Sequence, residues 1–127
     1  MIKTKDKWIE IIAKLTKLTQ NNILKWQISE VPDALRGFKD VRIDVVYLSI
    51  YKGKRLRIYE KKKKETIVVG FNRFETSWEM YTVLDFTDDS DISLWAFPQV
   101  EGLHNLINAV RFQEAGVKDF LKDLMEA

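Results

Sequence analysis

One histidine, His104, and no cysteine leave this 127-residue chain few side chains able to do proton-transfer or covalent chemistry near neutral pH. The absence of cysteine removes disulfides, thiolate nucleophiles and cysteine-based metal centres together. A lone histidine also removes multi-histidine metal sites, and its place just after Leu103 puts it on the polar side of a helix. Two carboxylates, Glu75 and Glu79, are the residue types a glycoside hydrolase needs, with Trp78 and Tyr81 beside them to stack on a sugar. At strand spacing, however, the same two aromatics fit cross-strand packing. Asp85, Asp88, Asp89 and Asp91 cluster as a hard cation would require, yet the DDSD run lacks the glycine and distal glutamate of a calcium loop. It reads as a polar turn. Five glycines, at 37, 53, 70, 102 and 116, are too scattered to cradle a phosphate. No catalytic residue, metal or cofactor is expected.

The chemistry that remains is charge. Lys52, Lys54, Arg55, Arg57, Lys61, Lys62, Lys63 and Lys64 crowd a short stretch with Tyr47, Tyr51, Tyr59 and Phe71 interspersed, and they are expected to ring one hairpin end. Such a set can neutralise phosphates while the aromatic faces stack on unpaired bases, or it can dock an acidic protein. Lysines at a hairpin tip are also commonly solvated, and on a sheet edge they block strand-to-strand aggregation. Residues 1–35 carry six basic and four acidic side chains, residues 36–73 twelve and four, and residues 74–127 three and eleven. The net charge of +2 therefore conceals stretches of +8 and −8. Recognition by charge requires that these form separate patches, which adjacent antiparallel strands can prevent.

The elements that position these residues follow from hydrophobic periodicity. Trp8, Ile11, Ile12, Leu15 and Leu18 recur at helical spacing between Lys5 and Asn22, and Asn21-Asn22 suits the helix end. Leu24, Trp26 and Ile28 alternate with polar residues as in a half-buried strand. EVPDALRGFKD reads as an irregular connection with one short helical turn. RIDVVYLSIY and KRLRIYE form a hairpin through a tight turn at Lys52-Gly53, with TIVVGF as a further strand. TSWEMYTVLDF puts Trp78, Met80, Thr82, Leu84 and Phe86 on one face, as expected for the middle of a sheet, and ISLWAF is the last strand. Trp95 and Phe97 share a face, which a helix covers or a partner meets. Leu103, Leu106, Ile107 and Val110 form one helical stripe and, after Gly116, Val117, Phe120, Leu121 and Leu124 form another, with Asp119 and Asp123 opposite.

The expected fold is a single α+β domain, an antiparallel meander of about five to six strands with an N-terminal helix and two C-terminal helices over one face. LWAFPQVEGLHNLINAVRFQEAGVKDFL, with the early LTKLTQNNILKW, resembles a group of small uncharacterised bacterial and prophage-type proteins. The resemblance implies a bacterial or phage setting and carries over no catalytic residue. Without an apolar leader-like run in MIKTKDKWIEII, or 18 consecutive apolar residues anywhere, a cytoplasmic location is expected. The leading functional expectation is a non-catalytic binding or regulatory protein acting on another protein, as an immunity protein, inhibitor or adaptor would. The alternative is nucleic-acid binding by the basic hairpin at residues 52–64, and association into a homo-oligomer fits the opposed charges.

Overall fold

A computed structural model describes residues 4–127; the first three residues of the segment inspected for a leader lie outside it. The described residues form an α+β fold, with a six-stranded antiparallel sheet and three helices. The order is α1 (Thr4–Gln20), β1 (Gln27–Ser29), a single 3-10 turn at Asp33–Leu35, β2 (Val41–Arg42), β3 (Val46–Tyr51), β4 (Lys54–Gly70), β5 (Arg73–Thr87), β6 (Ser93–Ala96), α2 (Leu103–Glu114) and α3 (Val117–Glu126). In space the strands run β1-β3-β4-β5-β6, and β2 pairs with β4 beyond the end of β3. Among the described residues no helix is long and apolar enough to cross a membrane.

Local chemistry sets the element ends. Asn22 takes the left-handed conformation, and Asn22 N–H donates to Thr19 C=O while Ile23 N–H donates to Leu18 C=O, a Schellman closure of α1. Lys52 and Gly53 both have positive φ, the geometry a two-residue turn needs to match the twist of β3 and β4. Gly116 is left-handed at the junction of α2 and α3, a conformation that costs glycine nothing.

The core lies between one sheet face and the pair α1 and α2. Ile12 and Leu15 of α1 and Leu103, Leu106, Ile107 and Val110 of α2 pack on Tyr47, Leu56, Ile58 and Leu84. Trp95 and Phe97 do receive a helix: the Trp8 ring of α1 lies 5.3 Å from Trp95 and 5.8 Å from Phe97, and Phe86 completes the cluster. Gln113 fastens the other end of α2. Its Oε1 accepts from Trp26 N–H at 2.8 Å, and its Nε2 donates to the carbonyls of Thr19 and Leu24. The Trp26 indole N–H donates in turn to Thr19 Oγ1.

The opposite sheet face holds an ion pair. Arg57 and Asp85 are cross-strand partners in β4 and β5, exposed by 0% and 1%. Arg57 Nε donates to Asp85 Oδ1 at 3.0 Å and Nη2 to Oδ2 at 2.6 Å. Nη1 donates to the Asp91 carbonyl, and the Tyr59 ring lies 5.4 Å from the guanidinium. Burial pushes the Tyr59 phenol above its usual range, with the Asp85 charge adding to the shift. Tyr59 is thus neutral in the fold at pH values where an unfolded chain has already lost that proton. Its contribution is fully present below about pH 10 and is lost as pH rises through the folded value.

Breaking the pair strands a buried charge, so Asp85→Ala is expected to cost about 3–5 kcal/mol in urea unfolding. Joint replacement by Arg57→Met and Asp85→Leu should cost much less, since no lone charge remains. Tyr59→Phe should remove part of the stability loss seen as pH rises above about 10.

Candidate functional site

β4 is one continuous strand through all four lysines, where the sequence suggested two strands separated by them. Its 17 residues extend about 55 Å. Lys52 therefore sits in the β3-β4 turn and Lys54 directly after it, while Lys61 lies about 23 Å further along the strand. The eight basic residues do not form one ring. Arg55 Nη2 reaches Asp91 at 2.8 Å and its Nη1 donates to the Asp88 carbonyl, so Arg55 and Arg57 both anchor the turn that follows β5. Lys62 lies 3.6 Å from Asp44, which Arg42 also pairs at 2.8 Å. The Arg42 hydrogen bond, supported by the charges of Arg42 and Lys62, holds the Asp44 carboxyl below its usual range.

Beyond Lys64, whose N–H donates to the Asp40 carbonyl just past the last β2 pair at Lys63, β4 pairs only with β5. The result is a two-stranded arm closed at Phe71-Asn72, and it is exposed along nearly its whole length. Directly opposed residues share a face. On the face that continues the core side of the sheet, Lys62 opposes Met80, Lys64 opposes Trp78, Thr66 opposes Thr76 and Val68 opposes Phe74. On the reverse face Lys63 opposes Glu79, Ile67 opposes Glu75, and Tyr81 lies opposite Lys61. Trp78 is 54% exposed, Phe74 66% and the tip residue Phe71 94%. Residues 61–81 carry five basic side chains (Lys61, Lys62, Lys63, Lys64, Arg73) and three acidic ones (Glu65, Glu75, Glu79), a net of +2. The basic stretch and part of the acidic one are thus two strands of a single ribbon.

The remaining candidates separate. Glu75 and Glu79 stand four residues apart on one strand, about 13 Å, wider than the roughly 5–9.5 Å of a glycosidase pair. Trp78 lies on the other face from them. Asp85 serves Arg57, Asp91 serves Arg55, and Asp88 Oδ1 accepts from the Ser90 and Ile92 N–H groups. Among the described residues no group of His, Asp or Glu side chains is arranged to hold a metal ion. His104 is exposed, with Nε2 3.2 Å from Asn108 Nδ2.

Two features escaped the sequence reading. A groove of about 610 Å³ between α1, α2 and the start of α3 is lined by Thr16, Gln20, Asn22, Asn105, Asn108 and Phe112, among others. α3 buries none of its residues, and Phe120, Leu121, Leu124 and Met125 remain in solvent. The α3 stripe was visible as a periodicity, but nothing local says that a stripe lacks a partner. No family model, curated protein or solved structure matches this chain.

Because the arm adds nothing to the core, replacing residues 65–77 by an Asn-Gly turn between the paired Lys64 and Trp78, which keeps the contacts with β2, is expected to change unfolding free energy by no more than about 1 kcal/mol. Urea unfolding with near-ultraviolet dichroism of the Trp8-Trp95 cluster would check it. Within the arm, the Glu65 charge is the main cause that raises the Tyr81 phenol above its usual range, with the Glu79 charge a smaller contributor. Glu65→Gln should lower that titration towards pH 10, followed by absorbance at alkaline pH.

Proposed function

We propose that this chain is a non-catalytic binding or regulatory protein of the cytoplasm that docks its β4-β5 arm on another protein, as an immunity protein, inhibitor or adaptor does. The observation that supports this reading most directly is the arm face bearing Val68, Phe74, Trp78 and Met80, which is exposed and which none of the other described residues covers. Large aromatics on an exposed element are the groups that supply most interface energy. Lys62 and Lys64 border the face and favour a partner whose apolar surface has an acidic rim. The resemblance noted in the sequence fits a bacterial or phage setting.

Nucleic-acid binding is the second reading, because Lys62 and Lys64 share a face with Phe74 and Trp78, the combination that contacts phosphates and stacks on unpaired bases. The near-balance of charge along the arm, with Glu65, Glu75 and Glu79 among its lysines, favours the protein partner.

A photoreactive benzoylphenylalanine at position 78 should give a discrete adduct with a second polypeptide in cells that make the protein, while the same group at the more exposed Ile50 should not. Labelled single- and double-stranded oligonucleotides should show no binding at low salt. Binding that weakens steeply with salt, and that Lys62→Ser with Lys64→Ser abolishes, would transfer the reading to nucleic acid.

A further inference from the structure

The groove between α1, α2 and the start of α3, about 610 Å³, has the size of pockets that hold small molecules, roughly 300–1,000 Å³. A stripe from each helix lines it. Thr16 and Gln20 stand one turn apart on α1, and Asn105, Asn108 and Phe112 follow one another at helical spacing on α2. Among the described residues neither helix contributes a charged side chain to the lining, although α1 carries Lys14 and Lys17 elsewhere on its surface. α3 adds Lys118 and Asp119, whose charges cancel.

The polar groups of the groove are of two kinds. The Thr16 and Thr19 hydroxyls donate to the carbonyls of Ile12 and Leu15, and the Gln113 amide is engaged with Trp26, Thr19 and Leu24, so these three serve the fold. The side-chain amides of Gln20 and Asn105 meet no partner among the described residues, and Asn108 meets only the exposed His104, through Nδ2. Asparagine is a poor helix former, yet Asn108 stands in the middle of α2 without tying that helix to another element. Phe112, next along the stripe, leaves 47% of its surface exposed.

We infer that this groove binds an uncharged sugar, with the Phe112 ring under the C–H face of a pyranose and the amides of Gln20, Asn105 and Asn108 on its hydroxyls. A side-chain amide donates and accepts at once, which matches hydroxyl groups that also do both. The flat apolar ring matches the other face of the sugar. An anion fits less well. Asp119 already places a carboxylate in the first turn of α3, the one helix whose N-terminal turn lines the groove. Asp119 is also the lone carboxylate of the lining, and glycoside hydrolysis needs two, so the site holds a sugar without cleaving it. This inference is independent of the arm and of its partner.

Titration of the nitrogen-15-labelled full chain with glucose, galactose, mannose and N-acetylglucosamine, each to about 50 mM, tests it. At least one sugar should shift the side-chain NH2 signals of Gln20, Asn105 and Asn108 saturably, with a Kd of about 0.1–10 mM. Phe112→Ala should raise that Kd about tenfold, and Phe112→Tyr, which keeps the ring, by less than about threefold. Asn105→Ala with Asn108→Ala, a change that favours the helix, should also raise it about tenfold while the far-ultraviolet spectrum stays that of the wild type. Four sugars that leave these signals unmoved overturn the inference. So does a Phe112→Ala chain that binds like the wild type, or a response confined to Phe74 and Trp78 of the arm. Adenosine or uridine saturating the same signals where no sugar does would keep the groove as a site and overturn the sugar as its ligand.

Discussion

The bidentate pair between Arg57 and Asp85 fixes how β4 and β5 are aligned, and everything distal to it follows from that alignment. Hydrophobic alternation alone resists a slip of one residue, which would turn Leu56, Ile58, Leu84 and Phe86 away from the helices. It resists a slip of two residues far less, since every side chain keeps its face. The ion pair closes that gap: a two-residue slip sets Arg57 opposite Val83 or Thr87 and leaves two charges buried without partners. The pair need not add net stability to exclude such alternatives, because its desolvation cost offsets much of its attraction. Its third hydrogen bond, to the Asp91 carbonyl, ties the turn after β5 to the same point.

From this registered base the strands run further than the helices can cover. α1 and α2, with 17 and 12 residues, extend about 26 and 18 Å, against about 55 Å for β4. The salt bridge from Arg111 of α2 to Glu60 lies near the end of the covered part of β4. Past it the same alternation that makes Leu56 and Ile58 core residues continues as Lys62, Lys64, Thr66 and Val68, with Met80, Trp78 and Phe74 opposite. One uninterrupted pattern is therefore core at its base and bare ribbon at its tip.

The unevenness of what the sequence revealed has the same origin. α1, the Lys52-Gly53 turn, the α2 stripe and the placement of Trp95 with Phe97 were legible because each depends on a local period or a turn residue. Lys61 to Lys64 suggested a break because four consecutive charges do not alternate, yet on a two-sided exposed ribbon both faces accept lysine. Trp78 and Met80 carried the periodicity of a central strand and lie outside the core, since periodicity reports a face and not its cover. The contacts of Gln113 with Thr19, Leu24 and Trp26, and of Arg57 with Asp85, join residues 28 to 94 positions apart and have no local signature.

Charge along the chain is likewise a poor guide to charge in space. An antiparallel hairpin folds a basic segment back against whatever follows it, and here Arg55, Arg57 and Lys63 meet Asp91, Asp85 and Glu79. What the pairing leaves unbalanced is hydrophobic exposure. A two-stranded ribbon is marginal by itself, and a TIVVG edge without proline or charge invites strand addition. The lysines and glutamates bordering that edge discourage indiscriminate pairing while leaving the Phe74-Trp78 face open. Because the base of the arm is clamped by the Arg57-Asp85 pair, much of the ordering cost of the ribbon is met by folding, so a surface placed on this face gains contact area without first having to order the strands.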